Sequence, residues 1–407
     1  PGAARVRMTV QADYALRPVW DVVGKLRGGI FPDEAIILGA HRDSWGPGAT
    51  DNGSGSATLL EVARRFGELA RAGSRPSRSL MFAFWDAEEF GIIGSTEWAE
   101  DHAQWLSLSA VAYLNVDVAA TGARFNPSGT PSLWPVLLEA ADGVPDPRSQ
   151  RTVRDVWQST GKNATVGVLG GGSDFVPFSH DLGVPSTSHS FSGDGGGAYH
   201  SRLDTWWFVS SFMDPGFSYH AAAGGIWALT ALKLSETPVI PYDEEATGKE
   251  ATAAADEIES RWKIHDPTST PMPSLDPVRS AARRLTESAG RLATRRRGFG
   301  QQFDMQDTGG AVVSARLQRL TAANRELIAT EREFIVKDSA AADQRARNLL
   351  LSPSATDGYG AQRLPGIAAA FLNHDPDSAR REIDLLVGAL DRAAGRLEAA
   401  ARALKGR

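Results

Sequence analysis

Apolar and polar positions alternate at the start of the chain, where Val6, Met8 and Val10 recur with a period of two, and this pattern predicts a strand. "VWDVVGKLRG" predicts a second, and "EAIILGAH" reads as a short, wholly buried strand ending at His41. In the segment that follows, "DNGSGSATLLEVARRFGEL", Leu60, Ala63, Phe66 and Leu69 return at helical spacing. Two further apolar strands are predicted at "SLMFAFW" and "VAYLNVD". Strands and helices mixed in this rhythm, from Val6 to about Leu234, predict an α/β domain. Open α/β sheets usually place their ligands beyond the C-terminal ends of the strands.

The pattern changes at "SETPVIPYDEEATGKEATAAADE", which is polar and carries prolines, and beyond it the periodicity is almost wholly helical. A boundary there divides the chain into residues 1–240 and 241–407. In the last segment Asp375-Pro376 stands in cap and first-turn order. Ile383, Leu386, Val387, Leu390, Ala394, Leu397, Ala401 and Leu404 then form one apolar stripe. "SARLQRLTAANRELIATEREFI" behaves alike, so the second unit reads as a helical packing or oligomerisation module. There is no internal repeat of the kind a solenoid needs.

Composition narrows the chemistry. A chain of 407 residues, 42% hydrophobic, has material for a large core. Its formal net charge of -6 provides no basic field for a nucleic acid. With no cysteine, disulfides and thiolate ligands are excluded, which leaves His, Asp and Glu as the strong metal ligands. No run of about 20 apolar residues is present, so no membrane segment is predicted. The start "PGAARVRMTV" lacks both a signal-peptide pattern and an initiator Met, and the expectation is a mature or truncated chain.

Five sites stand at or near predicted strand ends: His41 in "GAHRDSW", Asp51 in "GATDNGSG", the pair Glu88-Glu89 in "FWDAEEFG", Asp117 in "LNVDVA" and His200 in "AYHSRLD". Each has a plainer explanation. A lone His is more often a hydrogen-bonded residue than a ligand, Asp51 before Asn-Gly suits a turn or a helix cap, Asp117 suits a cap, and paired glutamates suit a helix start. Together they match what two divalent ions need: imidazoles, terminal carboxylates and one shared carboxylate, with the ions about 3.5 to 4 Å apart.

Segments 36–45 and 82–100, "AYLNVD" and "YHSRLDTWW" resemble the zinc metallopeptidases typified by glutamate carboxypeptidase II, whose architecture the transferrin receptor shares. The likeness continues into "YGAQRLPGI" and the closing helix, which resemble that family's helical dimerisation domain. The resemblance implies a mixed-sheet α/β zinc exopeptidase domain (phosphorylase/hydrolase-like) followed by an all-α dimerisation domain, and hence a homodimer. It implies two zinc ions: His41 and Asp117 on one, Glu89 and His200 on the other, Asp51 bridging. Glu88 becomes the general base and Tyr199 the donor to a developing oxyanion. The physics agrees, since adjacent residues of an extended or turning backbone point in different directions, so that one glutamate can bind metal while its neighbour faces substrate. Asp43 and Asp204 are placed to accept the second ring N–H of His41 and of His200. Glu97 and Glu100 match positions that help to hold a structural calcium in the family.

The substrate pocket departs from the family pattern. Gly172 and Tyr359 match substrate contacts, but Ser173 stands where the family has asparagine, Gly358 where glutamate carboxypeptidase II has lysine, and "PSTSHSF" where it has an arginine patch. Loss of a charge-assisted lysine contact argues against strict selection for C-terminal glutamate. The family's apical, protease-associated domain and a first piece of its catalytic domain precede the point where this sequence starts. The expected activity is a carboxypeptidase acting on peptides. An aminopeptidase on the same metals and a non-catalytic, receptor-like scaffold are the alternatives. The resemblance also suggests an extracytoplasmic location.

Overall fold

The computed structural model describes residues 5–161, 164–193, 198–265, 271–301, 310–336 and 348–405. Six strands form one mixed sheet: β1 (Val22–Leu26), β2 (Phe31–His41), β3 (Arg78–Trp85), β4 (Ala110–Asn115), β5 (Arg124–Gly129) and β6 (Ser186–Ser192), in the order β1-β3-β2-β4-β6-β5. β3, β2, β4 and β6 run parallel, and the edge strands β1 and β5 run antiparallel to their neighbours. Helices α1 (Gly53–Arg71), α2 (Ile93–Asp101), α3 (Ala103–Ser109), α4 (Trp134–Asp142), α5 (Val153–Gln158), the single turn α6 (Trp206–Phe208) and α7 (Ser218–Glu236) complete this part. The chain leaves β2 for β3 on one side and then crosses to β4 on the other. The direction of winding therefore reverses at β2, and a crevice opens beyond its C-terminal end.

Both faces of β2 are covered, which is why its sequence is apolar without interruption. Ile36, Leu38 and Ala40 join the core under α1 and α7, and Ala35 and Ile37 join a second core with Met81, Trp85, Tyr113 and Phe178. In α1 the buried stripe is Leu59, Val62 and Phe66, while Leu60 and Leu69 are exposed. The helix is turned by about one residue from the face its apolar spacing predicts. Val6, Met8 and Val10 are exposed and belong to no strand. Alternation alone makes no strand where no sheet edge receives it.

The rest of the chain holds α8 (Glu244–His265), α9 (Asp276–Gln301), α10 (Gly310–Arg332), α11 (Pro365–Leu372) and α12 (Pro376–Leu404). The change of composition at residue 240 falls between α7 and α8. Asp375 caps α12 as expected, accepting from the N–H groups of Asp377 and Ser378. Its stripe is buried at Ile383, Leu386, Leu390, Ala394, Leu397 and Leu404. The helical pattern has one exception, the hairpin β7 (Leu351–Pro353) and β8 (Ala361–Arg363). Among the described residues no helix is long and apolar enough to cross a membrane.

A buried ion pair ties the two parts together. Arg78 on β3 bonds Glu34 at 2.5 Å and the carbonyls of Leu234, Ser235, Thr237 and Pro238, and Asn324 of α10 donates to Glu34 and to Pro238. Removing one partner of such a pair strands the other charge. Arg78→Met should lower unfolding stability by about 3–5 kcal/mol, read as a shifted denaturant midpoint. Loss of less than about 1 kcal/mol would place the pair among ordinary surface contacts.

Candidate metal centre

The parallel strands β2, β3 and β4 end side by side and deliver His41, the Glu88-Glu89 turn and Asp117 to the mouth of the crevice. Asp51 comes from the loop before α1. That helix is capped by Asn52, whose side chain accepts from Gly55 N–H at 2.9 Å, so the Asp51 carboxylate is left to the crevice.

The five predicted ligands meet in two overlapping groups, His41-Asp51-Asp117 and Asp51-Glu89-His200. His41 Nε2 lies 3.0 Å from Asp117 and 3.2 Å from Asp51 Oδ1. His200 Nε2 lies 3.1 Å from Asp51 Oδ2 and 3.0 Å from Glu89. Asp51 thus turns one oxygen to each histidine. Glu88 stands apart, 3.9 Å from His41 Nε2 and in neither group.

These residues fit a pair of cations. Glu89 Oε1 is buried with no hydrogen-bond partner. Burial opposes charge on His41, but its hydrogen bonds to Asp117, Asp43 and Asp51 outweigh this and raise its pKa, so the carboxylates hold a positive charge where the ring stands. Burial first, and then neighbouring carboxylates, raises Asp51 and Glu89. The donor set of neutral imidazole and carboxylate suits zinc.

The surroundings correct two expectations and refine a third. Asp43 meets His41 Nδ1 mainly through its backbone carbonyl, at 3.1 Å, with its carboxylate at 3.4 Å. The Asp43 carboxylate instead accepts the N–H groups of Glu88 and Glu89, at 3.1 and 3.2 Å, and so fixes the turn that carries both. Asp204 does not reach His200. Its two oxygens accept the N–H groups of Thr50 and Asp51 at 2.8 and 3.0 Å, holding the loop of the shared carboxylate from below. Ser173 is buried, bonded to Asn115 and set against Asp117. Asp86 shapes the turn by accepting from Trp20, Arg42 and Ala87.

Ala87 and His200 sit at φ 57° and 53°, a left-handed region that costs a residue with a side chain roughly 1–3 kcal/mol. Both flank or belong to the metal cluster, where the surrounding contacts hold them. Burial, and then the charges of Asp117 and Asp174, push the Glu88 carboxyl up to about 9, and cations in the neighbouring groups would bring it back down toward the range in which it can take a proton. Asp174, absent from the sequence reading, is wholly buried with one oxygen bonded to Ser95 Oγ at 2.6 Å and the other without a partner.

Tyr199 stacks on His200 at 3.7 Å and its phenol lies beside that of Tyr359. Burial and then the Asp51 charge raise its pKa, keeping it a neutral donor. Tyr359 arrives from the β7-β8 hairpin, whose backbone presses on the loop 170–172. Gly171 N–H donates to the Tyr359 carbonyl at 3.0 Å, and a Cβ on Gly172 would stand 2.7 Å from the Tyr359 ring. Only glycines allow this approach. Gly172 and Tyr359 therefore meet across the two parts of the chain. Glu97 and Glu100 are exposed on α2 and join no group of three potential ligands among the described residues. A cleft of about 750 Å³ lies to one side, lined by Asn126, Ser188, Ser190 and Trp157 but by none of the five ligands.

Residues 21–212 match the model of peptidase family M28, and residues 273–398 match the transferrin receptor-like dimerisation domain. Residues 21–212 belong to peptidase family M28. The chain is 32% identical over 376 residues to a probable glutamate carboxypeptidase of Arabidopsis thaliana (LAMP1), covering 92% of this chain and 52% of that protein. It is 34% identical over 373 residues to one of Zea mays (VP8), covering 91% and 50%. Aminopeptidase NAALADL1 of Mus musculus is 37% identical over 261 residues, 60% of this chain and 35% of that protein. The chain thus spans about half the length of these two probable glutamate carboxypeptidases.

Proposed function

We propose that this chain is a dinuclear zinc exopeptidase working as a carboxypeptidase, and that it pairs as a homodimer through its helical part. The observation that carries the metal assignment is Asp51, whose two oxygens face two histidines that each meet one further carboxylate. His41, Asp51 and Asp117 would hold one zinc, and Asp51, Glu89 and His200 the other. Zinc there would polarise the scissile carbonyl and bring the pKa of an attacking water toward neutrality.

Glu88, just outside both groups, takes the proton of that water and passes it to the leaving amine. Asp43 holds the glutamate turn so that the neighbouring carboxylates stay divided between metal and proton work. Tyr199 donates to the oxygen that gains charge.

The direction of cleavage rests on which terminus the rim can recognise. A free amine needs an accessible acid, but Asp43, Asp86 and Asp204 are engaged by backbone or Arg42 groups, and Asp174 is buried. A free carboxylate needs a donor, and the exposed Tyr359 phenol supplies one. Segment 185–191 carries no arginine where glutamate carboxypeptidase II has an arginine patch, which supports a preference other than strict glutamate selection. The name of the mouse relative supports the aminopeptidase as the second reading.

Peptides blocked at one end separate the two. With an acetylated N-terminus and a free carboxylate they should be cleaved, and with a free amine and a C-terminal amide they should not. The reverse pattern makes the chain an aminopeptidase.

A further inference from the structure

Behind Asp117 a chain of hydrogen bonds runs into the sheet. Trp85 Nε1 donates to the Tyr113 hydroxyl at 2.9 Å, that hydroxyl donates to Asn115 Oδ1 at 3.0 Å, and Asn115 Nδ2 donates to Ser173 Oγ at 3.0 Å. The Ser173 hydroxyl in turn stands against the Asp117 carboxylate and helps to hold its pKa down. None of the four residues is more than 3% exposed, so water does not compete for these bonds.

The polarity of this chain is fixed from its far end. An indole N–H can only donate. The phenol that accepts it turns its own hydrogen to the Asn115 oxygen, which orients the amide and leaves its NH₂ for Ser173. The serine hydrogen is then free for Asp117 alone. Every link points toward the carboxylate.

Tyr113, Asn115 and Asp117 share one face of β4 and its extension because side chains alternate along a strand. The Tyr113 ring stacks on Phe178 at 4.1 Å, and a Cβ on Gly39 would overlap its hydroxyl. The space around that hydroxyl is therefore made by the neighbouring strand.

We propose that Trp85, Tyr113, Asn115 and Ser173 are positioning residues, a one-way relay that orients Asp117 and sets the zinc affinity of the His41-Asp51-Asp117 site. This rests on the zinc reading above. No hydrogen bond among the described residues links the relay to Glu89 or His200, so the effect falls on one site and reaches the other only through the shared Asp51.

The test is a chelator-buffered zinc titration of the full chain, resolving two affinities, beside the melting temperature of the metal-free protein. Ser173→Ala should weaken one site about 10–100-fold and the other less; the Asn115 amide it strands should also lower the metal-free melting temperature, which the zinc titration reads separately. Ser173→Thr, which keeps the hydroxyl, should restore the affinity. Tyr113→Phe removes the remote end and should weaken the same site by a smaller factor, which keeps the idea testable if either serine variant folds poorly. The weakening should persist in a Glu89→Ala background and vanish in His41→Ala. Two unchanged affinities in both Ser173→Ala and Tyr113→Phe, or equal weakening of both sites, overturn the relay. A parent chain that binds no zinc overturns the reading of the site instead.

Discussion

Glu88→Gln should keep its zinc and lose peptidase activity by about 10²–10⁴-fold, the usual contribution of a positioned proton-transfer group. Glutamine preserves shape and removes only the ability to take a proton. The prediction is sharp because the adjacent residue behaves differently. Glu89 Oε2 lies 3.0 Å from His200 Nε2 and its other oxygen is buried without a partner, so Glu89→Ala should lose metal along with activity. Activity assays paired with zinc analysis check both. If Glu88→Gln lost zinc and Glu89→Ala kept it, the two roles would be assigned backwards.

Asp51→Asn should empty both sites at once, because a single carboxylate serves both histidines. Zinc content should fall from about two ions per chain to well below one. The metal-free protein should gain stability from the same change. Burial and the neighbouring Asp117 charge raise the Asp51 pKa, meaning that its charged form is less favourable in the folded chain than in the unfolded one, and asparagine carries no such penalty. The backbone bonds from Thr50 and Asp51 to Asp204 do not involve the altered side chain. Zinc analysis and a melting curve in chelator should therefore move in opposite directions. If both fell together, Asp51 would be a structural residue.

Much of this site was legible in the sequence because strand ends gather it. β2 is apolar without a break up to His41, and the strands carrying "SLMFAFW" and "VAYLNVD" announce where Glu88-Glu89 and Asp117 emerge. The α12 stripe was equally plain, as its apolar face follows from spacing within a single helix. What escaped depends on contacts distant in sequence. Asp204 stands four residues after His200, which suggested that it serves that ring, yet its partners are Thr50 and Asp51, more than 150 residues away. Ser173 stands where the family has a substrate-binding asparagine, but it is buried and bonded to Asn115.

The relay itself left a faint trace. Tyr113, Asn115 and Asp117 place polar groups at a period of two in a strand otherwise built to be buried on both faces, and buried polar groups need partners. Val6, Met8 and Val10 show the opposite failure, since a correct local pattern found no neighbouring strand. The helical part reads as a separate packing module along the chain, but the Arg78-Glu34-Asn324 cluster joins it to the sheet and the hairpin sets Tyr359 against Gly172.

The central claim is that one carboxylate joins two zinc sites. Its most direct measurement is the metal content of the chain after equilibration in chelator-buffered zinc and removal of free ions. The account predicts about two zinc ions per chain in the parent protein. A parent chain that holds one ion or none under those conditions contradicts it.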